Sequence, residues 1–325
     1  MDLDLVFLGT AGSAPTASRG ASATLLRRGG DRLLVDCAEG TQRQLLRSDA
    51  GLVDLEHVFL THLHADHVLG LPGMLKTFAL RGRDLPITVY GPRGTRALLR
   101  ALGVVIGRLT YPVDVEELVP GDAVERDGYR VQTFAVAHGR SAVGYALREE
   151  GRPGRFDVEA ADALGVPDGP ARGALQRGEP VTVGGRVVRP EEVLGPARRG
   201  RVVVITGDTA PAPSVVAAAE GADVLVHEAT FLADERDRAQ ETDHSTAADA
   251  ARVARDAGVL LLALTHLSAR YAGSEVRDEA QAVFPSTVVP RDFDLIDVPL
   301  PERGRPELVD RGGRRARRQD VGSGA

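Results

Sequence analysis

Apolar residues along the chain gather in short β-branched runs, separated by stretches in which they recur every three or four positions. Seven runs read as buried strands: LDLVFLG, RLLVD, HVFLT, YRVQTFAVAH, RVVVITGD, DVLVHEAT and VLLLALTH. Helical spacing falls between them, over Gly40–Ser48, Thr95–Leu102 and Ser245–Ala257. The last of these, in HSTAADAARVARDAG, opens on a capping residue and closes at Gly258. The alternation predicts an α/β protein whose helices cover sheets. Five of the strand runs end in, or lead straight into, a side chain able to bind metal. These are His62, His138, Asp208, the pair His227 and Glu228, and His266. Strand ends are rigid, and a shared end of two sheets lets distant segments converge.

The pattern changes between about 151 and 199, where Gly, Pro and Arg are dense and apolar stretches are short. That segment predicts an insertion projecting from a domain spanning 1–300. The polar, Arg-rich stretch 301–325 predicts a disordered tail. No run approaches the roughly 18 apolar residues of a membrane span, and the N-terminus has no basic, signal-like region. A lone cysteine, Cys37, excludes an internal disulfide framework and suits a reducing cytoplasm. The net charge of −6 gives no global basic footprint, so nucleic-acid binding would need local patches.

Candidate chemistry centres on THLHADHVLG, which places His62, His64, Asp66 and His67 within six positions. Imidazole and carboxylate are donors that Zn²⁺ and similar cations accept. With His138, Asp208 and His266 there are seven candidates, more than one metal uses. Seven donors fit two metals sharing a carboxylate, the arrangement that clamps a phosphoryl group for in-line displacement. Of the 8 histidines, only His57 is left without a role, and it reads as a residue at the start of a strand.

THLHADHVLGLPG resembles the hallmark loop of the metallo-β-lactamase fold, which implies an αββα sandwich. Further segments are similar to the short form of the ribonuclease Z family: FLGTAGSAPTASRGASATLL, LLVDCAEGTQRQLLR, GDTAP, LVHEATF, HSTAADAA and LTHLSARY. Ala38, Ala65 and Gly20 depart from the family pattern without touching a donor. The resemblance implies a first zinc on His62, His64 and His138, a second on Asp66, His67 and His266, and Asp208 between them. Manganese could use the same donors. It further implies that Asp66 accepts a proton from the attacking water, and that His244, oriented by Glu228, protonates the leaving 3′ oxygen. Arg270, close after His266, would suit a phosphate oxygen. Ser13 and Thr16 could lie near the substrate backbone.

The 151–199 insertion resembles the flexible arm that grips the tRNA elbow, with Gly169 and Pro170 in its glycine–proline segment and Arg172 and Arg177 as phosphate partners. The implied substrate is precursor tRNA, cut after the tRNA body by a homodimer. Two competing expectations are a same-fold hydrolase of small diesters and a non-catalytic RNA-binding relative. The arm and the HEAT and HST segments speak against the first, the full donor set against the second.

Overall fold

In the strand Leu3–Gly9, residues 3, 5 and 7 belong to one apolar cluster while residues 6 and 8 belong to another. A strand buried on both faces needs a layer on each side. The structure is a computed structural model and describes residues 1–52 and 55–310. Among these, the first sheet comprises β1 (Leu3–Gly9), β2 (Ala23–Arg28), β3 (Asp31–Val35), β4 (His57–Phe59), β5 (Ile87–Gly91), β6 (Val113–Glu117), β16 (Leu295–Asp297) and β17 (Glu307–Val309). Its order is β17-β16-β1-β2-β3-β4-β5-β6. The second sheet comprises β7 (Ala123–Arg126), β8 (Tyr129–Ala135), β9 (Val143–Glu149), β12 (Val202–Ile205), β13 (Val224–Glu228), β14 (Leu261–Thr265) and β15 (Thr287–Val288). Its order is β15-β14-β13-β12-β9-β8-β7.

The two sheets share one core, in which Leu5, Phe7 and Phe59 of the first meet Tyr145, Val203 and Val226 of the second. The helices Thr41–Arg47, Leu71–Leu80 and Thr95–Ile106 cover the outer face of the first sheet. Pro213–Ala218, Ala247–Ala257 and Gly273–Gln281 cover the second. This is the αββα sandwich. All seven apolar runs fall on strands and the three helical patterns on helices, though the helix from Thr95 runs on past Leu102 to Ile106. Thr246 caps Ala247–Ala257 through a reciprocal bond with Asp249, and Gly258 ends it in the left-handed conformation.

Topology places the site. β12, β13 and β14 are parallel, and β8 runs with them because β8–β9 and β9–β12 are both antiparallel. Four C-terminal strand ends therefore emerge at one edge of the second sheet. In mixed α/β sheets this is where ligands bind.

Residues 151–199 contain the helices Val158–Ala163 and Pro170–Gln176 and a hairpin of β10 (Val181–Val183) and β11 (Arg186–Val188). They pack on their own small cluster of Ala161, Val166, Leu175, Val188 and Val193. One correction concerns the end of the chain. The stretch from 301 was expected to be disordered, yet Glu307–Val309 pairs antiparallel with β16. Glu302 also bonds Arg152 and Arg198. Three residues completing a sheet edge leave too little local pattern to be seen in sequence. The rest of that expectation, over 311–325, lies outside the described residues.

Candidate metal centre and active site

After β4 the chain turns sharply. The Thr61 N–H donates to Asp36 Oδ1 at 2.8 Å, and the short helix Ala65–Val68 follows directly on His64. The turn aims His62, His64, Asp66 and His67 at the edge where β8, β12 and β14 deliver His138, Asp208 and His266. Donor atoms of His62, His64 and His138 all lie within 4.8 Å of one another, as do those of Asp66, His67 and His266. The same spacing also groups His62, His67 and Asp208. Asp208 Oδ2 stands between the first two triads, 3.7 Å from His62 Nε2, 3.4 Å from His67 Nε2 and 3.2 Å from His266 Nε2.

The chemistry of the donors fits metal binding. A metal-binding histidine holds its second nitrogen in a hydrogen bond that fixes the ring. Here His62 Nδ1 meets Thr61 Oγ1 at 3.1 Å and His67 Nδ1 meets Asp36 Oδ2 at 2.8 Å. His138 Nδ1 donates to the Asp243 carbonyl at 2.9 Å, and His266 Nδ1 meets Thr230 Oγ1 at 2.8 Å. His62 Nε2 and His67 Nε2, which face Asp208 Oδ2, are buried without a hydrogen-bond partner, as is the second Asp208 oxygen, Oδ1. Unsatisfied buried polar atoms converging on one point are what a cation would satisfy. His64 alone is exposed, so the first triad opens toward solvent.

Electrostatics agree. Burial, with the charge of His67, lowers the pKa of His62 to about 2, so the ring is neutral and ready to ligate. Burial works against ionisation of Asp208, but His266 and His67 hold it well below the ordinary range. Burial also opposes charge on His67, yet Asp208 and Asp36 raise its pKa well above 6.5. A proton there balances charge that a divalent cation would balance instead. Backbone strain collects here as well. Ser13, Asp36, Asp243 and His266 all adopt positive φ without being glycine.

Beside the donors lies the second pair. His244 Nδ1 is 2.7 Å from Glu228 Oε1. Glu228 is buried and held by the Thr209 N–H, the Ser245 N–H and the Thr230 hydroxyl. Burial would lower the His244 pKa, but the Glu228 hydrogen bond and charge overcome it and raise it to about 8. The arrangement offers an oriented imidazolium next to a metal-capable cluster.

The other expected residues lie further out. Arg270 rests over Phe231 and Tyr271, pairs with Glu235, and shares Phe231 with His244 as a neighbour. His227 is fully buried, and its Nδ1 donates to the Glu228 carbonyl. Ser13 donates its N–H to Asp66 Oδ2 at 2.9 Å. Gly169, Pro170, Arg172 and Arg177 belong to the 151–199 unit. Gly169 precedes the helix that Pro170 opens. Arg172 is turned inward onto Asp162, Asp168 and the Val166 carbonyl, and Arg177 is exposed beside Glu179. Sequence reasoning missed Asp36, Thr61, Thr230 and the Asp243 carbonyl. Asp36 was within reach, since it ends RLLVD as the other donors end their strands.

Residues 31–163 match the family model described as the beta-lactamase superfamily domain. Sandwich and donor cluster together define a chain of the metallo-β-lactamase class. It is 48% identical to ribonuclease Z of Gemmatimonas aurantiaca, over 95% of this chain and 99% of that protein. It is 44% identical to ribonuclease Z of Methanosarcina acetivorans, over 94% of this chain and 100% of that one. Within the class, this chain belongs to the ribonuclease Z family. The crystal structure of human tRNase Z, short form, superposes with a TM-score of 0.66 at 28% identity, covering 92% of this chain and 99% of that one.

Proposed function

We propose that the chain is a tRNA 3′-end processing endoribonuclease that hydrolyses the phosphodiester after the tRNA body. It leaves a 3′-hydroxyl on the tRNA and a 5′-phosphate on the trailer. The observation that carries this reading is the Glu228–His244 pair set against the seven-donor cluster, in a chain whose relatives are ribonucleases Z. His62, His64 and His138 would hold one Zn²⁺ and Asp66, His67 and His266 the other, with Asp208 shared; Mn²⁺ suits the same donors. When bound, the cations polarise the phosphoryl oxygens and acidify the attacking water.

The chain's own residues do the rest. Asp66, fixed by the Ser13 N–H, takes the proton from the water. His244 gives its proton to the leaving 3′ oxygen, a poor leaving group without one. Glu228, locked by its donors, keeps His244 charged and aimed. Arg270, steadied by two aromatic rings, offers its fork to a phosphate oxygen.

The catalytic domain is 1–300, and its 151–199 insertion is the arm that holds the tRNA away from the cut. Its own small core supports that reading, as do its paired roots, where Arg152 meets Arg198 and both meet Glu302. Arg172 serves packing inside the arm, so phosphate contact falls to Arg177. The enzyme works in the cytoplasm as a homodimer. No helix among the described residues is long and apolar enough to cross a membrane.

End-mapping of the products from one precursor tRNA tests the reading, with wild type, Asp66→Ala and His244→Ala side by side. The wild type is expected to give the two ends named above and about two equivalents of bound zinc. Cleavage persisting in Asp66→Ala would remove that residue from the mechanism. Turnover confined to small diesters would replace the reading with its rival.

A further inference from the structure

A cavity of about 450 Å³ is walled by residues 15–20 of the loop whose Ser13 bonds Asp66, and is lined among others by Arg19, Arg43, Arg47, Arg291, Asp292 and Phe293. Four arginines against the two carboxylates Glu39 and Asp292 leave it at +2, in a chain whose net charge is −6. A larger cleft between the helices Pro213–Ala218 and Ala247–Ala257 has the opposite balance, with Glu220, Asp249 and Asp256 facing Arg252. The basic cavity is also firmly built. Asp292 accepts from the Thr10 hydroxyl at 2.9 Å, the Gly20 N–H at 2.6 Å and Gln44 Nε2 at 2.8 Å, which ties the loop to the helix Thr41–Arg47. Its carboxylate is thereby occupied. Arg47 lies over the Phe293 ring. Arg43 and Arg291 have no side-chain hydrogen bond or ion pair among the described residues.

Unpaired guanidinium groups around a concave, rigid pocket favour phosphate, which they can bind through two parallel bonds. We infer that this cavity is a second RNA-backbone subsite, in which Arg43 and Arg291 hold a phosphate of the same substrate chain that is cut. This rests on the precursor-tRNA reading above. It places a substrate grip on the catalytic domain itself, apart from the arm. The phosphate belongs either to the acceptor stem or to the trailer, and the two share one chemistry.

The test compares wild type, Arg43→Ala, Arg291→Ala and the double variant on precursors with short and long trailers. Arg100→Ala, an exposed charge on another helix, is the control, and thermal melting checks folding. The double variant is expected to raise KM five- to tenfold at moderate salt. It should also lower the slope of log affinity against log salt by about 1, the value for one phosphate contact. Arg100→Ala should leave KM unchanged. A loss that grows with trailer length assigns the site to the trailer; an equal loss for mature tRNA assigns it to the acceptor stem. An unchanged KM in the folded double variant, or an equal rise in Arg100→Ala, overturns the subsite. Failure of the parent reading would look different, because the wild type itself would then not cut precursor tRNA.

Discussion

In the proposed reaction His244 is the proton donor and Glu228 its partner, and the tuning of the pair is local. Burial would discharge the imidazole, and the Glu228 carboxylate at 2.7 Å keeps it charged up to about pH 8. A raised pKa means the acid form is present below that value and lost above it. Turnover should therefore decline as pH rises through about 8. Glu228→Gln removes the charge that holds the proton, so the decline should move to lower pH and turnover fall roughly 10²–10⁴-fold, with bound metal unchanged. A pH–rate profile of both proteins checks this; an alkaline limb that stays in place would detach Glu228 from the role. A different residue should bear on metal retention. Asp36 holds His67 from behind and also fixes Thr61. Asp36→Asn should weaken metal retention about 10–100-fold in competition with a chromogenic chelator. Equal retention would mean that the ring needs no such support.

Among the elements, the connection after β12 is tightly constrained. Gly207 has φ of 63°, and a Cβ there would lie 2.6 Å from Thr61 Cβ. Asp208 follows Gly207, while His62 follows Thr61 and Thr61 shares Asp36 with His67, so a displaced Thr61 would disturb both triads at once. Gly207→Ala should cost about 1–3 kcal/mol, read as a lower melting temperature, and reduce bound metal. A variant that melts and loads like wild type would contradict the packing.

Strand composition decides what was legible in the sequence. Strands such as β12 and β14 are uninterrupted apolar runs, and their C-terminal donors could be read from local pattern alone. β2 and β9 could not, because ATLLRR and VGYALRE carry charges into buried positions. Those charges are satisfied by each other: Arg28 Nε bonds Glu149 Oε1 at 2.8 Å across 121 residues. The partners that steady the donors were hidden for the same reason. Thr230 lies 36 residues from His266, and Asp243 lies 105 residues from His138. No window of local sequence contains such pairs.

Over the whole molecule, Glu149 links the sheets by accepting from Arg28 of β2 and from Arg201, which is buried just before β12. Burial alone would raise its pKa, but Arg201 and Arg28 lower it to about 2. A depressed carboxylate stabilises the fold above its unfolded value, near 4.3, and that stability is lost as pH falls toward 2. Thermal melting should drop steeply over that window. Glu149→Gln should melt lower at neutral pH, by about 3–5 kcal/mol for an arginine left unpaired, and respond less to acid. Parallel acid curves for the two proteins would rule the triad out as the cause.

The seven donors divide between the halves of the sandwich. Four come from the turn after β4 of the first sheet, and three from β8, β12 and β14 of the second. Ions seated among them would act as rivets, since peeling one half from the other would break coordination on both sides. Heat tolerance should then climb with free zinc in a dialysed sample, because binding favours only the assembled form. A melting point indifferent to zinc would mean that the halves close without help, and that the ions serve the reaction alone.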